Sequence, residues 1–219
     1  MAAGATGHEG AATTQEADEP AVGGPMTLLP VRGDGVVVGE VRAWSASPTG
    51  LVVTGRVRTS PESVRALVGQ RVWASTRTRV TDSLVVFEAV AQPVRDDEID
   101  LSGVVRLAHE ARRRVVRAAT PTPLELVVEG SDLRLRTVDL SRDGCRVALP
   151  ADGALPVGST VGLLLDLGAD GGEDVRARGE VLRIDEDRGE AVLRFVGLER
   201  EDSERLERAV LARLSTGGA

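Results

Sequence analysis

Short runs in which Val or Leu alternates with a polar residue recur along most of this chain, and they constrain it to a β fold. Leu133 and Leu135 alternate with Arg134 and Arg136; Cys145, Val147 and Leu149 alternate with Arg146 and Ala148. Val175, Ala177 and Val181 alternate with Arg176, Arg178 and Glu180, and Leu193 and Phe195 with Val192 and Arg194. A period of two sends successive side chains to opposite faces of a strand, so each run predicts a half-buried strand. The first half shows the same habit: Leu51, Val53 and Val57 alternate with Thr54, Arg56 and Arg58. Further strands are expected at 36–43, 71–79, 84–91, 103–108 and 161–167. Thr81-Asp82-Ser83 and the Gly/Asp clusters at 168–172 and 185–189 supply turns, and Asp96-Asp97-Glu98 reads as a loop. Aromatic residues make up only 2% of the chain and Tyr is absent, so the core must be built from Val, Leu and Ala. Short strands at this spacing suggest small antiparallel barrels or sandwiches.

The expected organisation is a tail at 1–25, a β domain at 26–108, a junction at 109–123, and a second β unit with a C-terminal helix at 124–219. The tail has almost no large apolar side chain and cannot offset the entropy of ordering. Ser60-Pro61-Glu62 carries a helix start, with Ser as cap and Pro at the first helical position, and Gly69 ends it. In the final helix Asp202 is the expected cap, and Leu206, Val210 and Leu214 recur at helical spacing. One internal echo links the halves: Val68-Gly69-Gln70-Arg71-Val72 and Val157-Gly158-Ser159-Thr160-Val161 each precede a strand.

Charge narrows the function. The formal net charge is −7 and the pI near 5.0, so an anion site has to be local. Cys145 is the single cysteine, which excludes an internal disulfide framework and a Cys-based zinc site. There is no apolar run of transmembrane length and no secretory signal, and the lone thiol is compatible with a reducing compartment; a cytoplasmic location is expected. His8 and His109 are far apart, and no Ser/His/Asp set, Cys/His set, metal cluster or Walker loop occurs, so no catalytic residue, metal or cofactor is assigned and the chain is not expected to be an enzyme.

Two stretches carry the chemistry. Arg112-Arg113-Arg114-Val115-Val116-Arg117 places four arginines in six residues, against the overall charge. Each guanidinium is a planar fork that pairs with a phosphate or with the O6 and N7 atoms of guanine. Alone, the run reads as a solvated basic linker. The second stretch is Asp139-Leu140-Ser141-Arg142-Asp143-Gly144, between two expected strands. Asp139 offers acceptors for the N1–H and N2–H₂ donors of guanine, and Ser141 can donate or accept. Gly144 allows a positive φ for a tight turn. Alone, this is an ordinary turn.

Together, the RxxxR pattern at Arg113 and Arg117 and the DxSxxG pattern at Asp139, Ser141 and Gly144 resemble the PilZ domain, the bacterial receptor module for cyclic di-GMP. The likeness continues through Leu155-Pro156-Val157-Gly158 and Gly189–Phe195, covering about 110–214. The preceding β domain is similar to the N-terminal half of flagellar-brake (YcgR-like) PilZ proteins. The resemblance implies an all-β protein of two small antiparallel barrels in tandem, the second six-stranded and followed by an α-helix. It implies that Arg112, Arg113, Arg114 and Arg117 hold the ligand from the junction, that Asp139 and Ser141 bind guanine edges, and that Gly144 shapes the turn. An arginine loop that folds over the ligand would reorient the two domains and signal to a protein partner, with motility control one output. Val115-Val116 and Asp143 depart from the usual pattern, where aromatics and a second Gly are frequent. The alternative reading is a PilZ-like adaptor that binds protein but no nucleotide. Binding of a nucleic-acid polymer is disfavoured by the acidic balance and the lack of stacking aromatics.

Overall fold

The computed structural model describes residues 19–217 apart from 48–49, 58–59, 96–97, 129–130, 151–154 and 169–172. The chain forms two compact units, Met1–Arg114 and Val115–Ala219.

The first unit is a closed barrel of β1 (Pro25–Pro30), β2 (Val37–Ser47), β3 (Gly50–Val57), β4 (Arg71–Arg77), β5 (Leu84–Arg95) and β6 (Glu98–Glu110). Its strand order is β1-β2-β3-β6-β5-β4, all antiparallel, and β1 closes the ring on β4 through pairs such as Leu28 with Ala74. Closure leaves no sheet edge to aggregate. Met26, Leu28, Val41, Val72, Ile99 and Leu101 fill the interior. The helix α1 (Pro61–Leu67) adds Val64 and Leu67 to that core. Its start is the expected one, with Ser60 Oγ accepting from Ser63 N and Pro61 in the first turn. The inward facing of Leu51, Val53 and Val57 and the acidic pair Asp96-Asp97 lie outside the described residues.

Two local expectations are corrected. Glu98 is not in a loop: it is a buried first residue of β6, and Arg42 pairs with it. The last strand therefore runs from 98 to 110, not 103 to 108. Residues 19–24, read as tail, hydrogen-bond to the barrel: Ala21 N donates to Arg77 O at 2.8 Å and Gly23 N to Val41 O at 2.7 Å.

The second unit is a closed barrel of β7 (Pro123–Val128), β8 (Ser131–Ser141), β9 (Gly144–Ala148), β10 (Thr160–Leu165), β11 (Val175–Asp185) and β12 (Glu190–Val196). Leu126, Leu140, Val147, Leu165, Val181 and Leu193 are fully or almost fully buried, as the alternation requires. The helix α2 (Arg200–Gly217) lies against β8 and β11 and buries Leu206, Ala209, Val210 and Leu211. It starts two residues before the expected cap, so Asp202 sits in its first turn, where an acidic group still favours the helix dipole.

Both barrels follow one connection scheme. The order β7-β8-β9-β12-β11-β10 repeats β1-β2-β3-β6-β5-β4 strand for strand. The sequence echo falls at equivalent places, just before β4 and β10, and it is a shared turn. Gln70 N donates to Leu67 O at 2.9 Å, and Ser159 N to Pro156 O at 3.1 Å. Gly69 N donates to Ala91 O of β5 and Gly158 N to Val181 O of β11, each at 2.8 Å. Gly69 has φ +75° and Gly158 +84°, a conformation that costs an L-residue about 1–2 kcal/mol. A β-carbon added to either glycine would meet no atom within 4 Å, so the constraint is backbone conformation alone. Gly69→Ala and Gly158→Ala should therefore each destabilise their own barrel by roughly 1–2 kcal/mol, read from denaturant midpoints, with Asn milder at both positions.

Candidate functional site

The chain leaves β6 at Glu110 and turns at 111–114. Arg112, Arg113 and Arg114 are exposed there, at the end of the first unit. Arg113 Nη1 reaches both Glu110 carboxylate oxygens at 3.4 Å. Arg117 belongs to the second unit.

From Val115 to Thr122 the chain is pinned along β8. Ala118 N donates to Leu140 O at 2.9 Å, and Leu140 N donates back to Ala118 O at 3.0 Å. Thr122 N and Thr137 N are tied across the same seam, to Thr137 Oγ1 and Thr122 O, each at 2.9 Å. Val116 and Ala118 bury their side chains, which anchors the run by its apolar alternate residues. The residue between them, Arg117, is thereby set beside Asp139. Arg117 Nη1 lies 3.2 Å from Asp139 Oδ1.

Asp139 is nearly buried, with 10% of its side chain exposed, and a desolvated carboxylate needs cationic partners. Its second partner is Arg146 on β9, whose Nε and Nη2 reach Asp139 Oδ2 at 2.9 and 2.8 Å. Arg146 Nη1 also donates to Glu190 Oε2 on β12 at 3.1 Å. Charges therefore alternate along Arg117, Asp139, Arg146 and Glu190, and each is paired.

Ser141 and Gly144 close the hairpin. Ser141 is buried, and its hydroxyl donates to Gly144 O at 2.9 Å, so only acceptor lone pairs remain on it. Gly144 is not at a positive φ, contrary to the expectation. It is a glycine because β12 passes close by: a β-carbon there would lie 2.3 Å from Leu193 O. Phe195 N donates to Asp143 O at 2.9 Å and fastens the turn to the same strand. Arg142 ties the turn to α2, with Nη1 on Glu207 Oε2 at 3.1 Å. Burial works against its charge, and Glu207 and then Asp143 outweigh that, so its pKa is held above the ordinary value.

Of the sequence-predicted residues, the fold brings Arg117 beside Asp139, on the hairpin that the buried Ser141 and Gly144 close. Sequence reading missed Arg146 and Glu190. The signal for Arg146 was present: once Ser141 pairs with Gly144 across a two-residue turn, Asp139 must face Arg146. Among the described residues no group of His, Cys, Asp and Glu is placed to hold a metal ion, and no helix is long and apolar enough to cross a membrane.

Residues 111–212 match the family pattern of the PilZ domain. This segment of the chain is a PilZ domain. No curated protein matches the sequence. Among solved structures, the chain is similar to that of the Bacillus subtilis inhibitor of motility MotI/DgrA, at 15% identity and a TM-score of 0.45, over 91% of this chain and 100% of that one. It is also similar to Escherichia coli YcgR in complex with c-di-GMP, at 15% identity and a TM-score of 0.43, over 89% of this chain and 85% of that one. The K. pneumonia MrkH–c-di-GMP complex follows at 14% identity and a TM-score of 0.38, over 89% of each chain.

Cys145 lies opposite Leu140 in the hairpin and is buried. Burial first, and then the Asp139 carboxylate, push its thiol up to about 12, with Arg117 acting in the opposite sense. Reaction needs the thiolate. The native protein at pH 8 should therefore resist a thiol reagent, while denatured protein reacts at its one cysteine, as absorbance of the released chromophore will show. Because the folded pKa is raised from 9.0, the stability linked to this thiol is complete below about pH 9 and is lost as pH rises toward about 12.

Proposed function

We propose that this protein is a receptor for cyclic di-GMP that passes the signal to a protein partner. The observation that carries the reading is the pairing of Arg117 with Asp139 on the PilZ hairpin. A guanidinium suited to a phosphate or to a guanine face stands next to a carboxylate suited to a guanine edge, with the Ser141–Gly144 turn already formed. Arg112, Arg113 and Arg114 extend the cationic set just before the boundary between the two units, and Arg117 follows it. We propose that engaging both groups on one dianion changes the interdomain arrangement, which is the signal read by the partner. The motility machinery is one such partner class. The role is that of a binding protein, not an enzyme.

A second reading has one observation in its favour. Arg117 Nη1 and Asp139 Oδ1 pair without a ligand, as they would in a PilZ-like adaptor that binds no nucleotide, although Arg117 Nε is buried without a partner. Titration separates the two. In calorimetry with cyclic di-GMP, the wild-type protein should bind, and Arg117→Ala should weaken binding by roughly 1.5–3 kcal/mol, the range for a hydrogen bond to a charged group. Absence of wild-type binding favours the adaptor; unchanged affinity in Arg117→Ala removes Arg117 from the site.

A further inference from the structure

The carboxylate of Asp139 is not shared evenly. Arg146 engages Oδ2 alone, with Nε donating at 2.9 Å and Nη2 in ion-pair contact at 2.8 Å. Oδ1 holds a single donor, Arg117 Nη1 at 3.2 Å. The two guanidiniums are also held differently. Arg146 stands on β9, which is paired with β8 on one side and β12 on the other, and its third donor is fixed by Glu190 at 3.1 Å. Arg117 stands outside the named strands, on a run tied to β8 by the bridge between Ala118 and Leu140 and by the Thr122–Thr137 hydrogen bonds.

Resting on the receptor reading above, we propose that Arg146 is a positioning residue for guanine recognition. It fixes Oδ2 and leaves Oδ1 as the one oxygen that exchanges Arg117 for the ligand. When Arg117 turns to the dianion, Arg146 still neutralises Asp139 and holds its plane. Oδ1 then has two lone pairs free in a fixed direction, which suits the adjacent N1–H and N2–H₂ donors of guanine. Without Arg146, two carboxylates, Asp139 and Glu190, would face an anionic ligand unneutralised, and Asp139 could rotate. Affinity and base selectivity then fall together.

The test titrates the full chain with cyclic di-GMP and with its inosine counterpart, which keeps N1–H and lacks the 2-amino group. Arg146→Met should weaken cyclic di-GMP binding roughly tenfold or more, the loss of a charge-assisted contact. It should also narrow the guanine-over-inosine preference. Arg146→Lys restores the charge without the fork, so affinity should recover in part while the preference stays narrowed. Cooperative thermal unfolding of each variant confirms that it folds. Unchanged affinity in Arg146→Met overturns the proposal. So does an equal loss for both nucleotides, which is what a merely structural role predicts. If the wild-type protein binds neither nucleotide, the receptor reading fails and this inference with it, a result distinct from wild-type binding with an unchanged preference.

Discussion

A carboxylate taken out of water has to be matched by cations, and this requirement organises the surface of the second barrel. Asp139 is matched twice, by Arg117 and by Arg146, and Arg146 is matched again by Glu190. Removing one member of such a set leaves a desolvated charge, which costs more than the pair contributes. Three separate pieces of chain must therefore be in register before the set exists. The run from Val115 to Thr122 must lie along β8, the β8–β9 hairpin must close at Ser141 and Gly144, and β12 must bring Glu190 alongside β9. Gly144 is the point where these demands meet, because only a residue without a β-carbon lets β12 approach.

The two barrels share a connection scheme and a turn, yet only one carries this set. The comparison is direct at the equivalent hairpin. In the first barrel Ser47 pairs with Gly50 across two residues, as Ser141 pairs with Gly144 in the second. Two residues further from the turn, Ser45 pairs with Val52 where the second barrel has Asp139 and Arg146. The hairpin frame is common to both; the charged pair is not. What distinguishes the second barrel at this hairpin is thus two side chains on a repeated frame, consistent with function residing in sites and not in folds.

Much of the fold was legible in the sequence because alternation is a local signal. The strands around Leu133, Val147, Val181 and Leu193 followed from period-two patterns, and the closed barrels followed from the family resemblance. What was not legible depended on distant partners. Glu98 reads as part of an acidic loop until Arg42, 56 residues earlier, is placed beside it. Gly144 reads as a turn glycine until the Leu193 carbonyl of a later strand is seen against it. Ser141 reads as a ligand hydroxyl, and the fold commits its proton to the turn. Arg146 reads as the polar half of an alternation, although the hairpin register would have put it opposite Asp139. In the candidate site the residue types were visible, and the division of labour between the two arginines on Asp139 was not.

On the proposed binding of cyclic di-GMP, Arg117 leaves Asp139 while Arg146 stays. Side-chain nitrogen resonances of arginine report this directly. In protein labelled with nitrogen-15 at arginine, with signals assigned through Arg117→Lys and Arg146→Lys, cyclic di-GMP should shift the Arg117 Nε signal strongly and leave the Arg146 Nε–H signal protected from solvent exchange. Loss of protection at Arg146 with Arg117 unmoved would contradict the account.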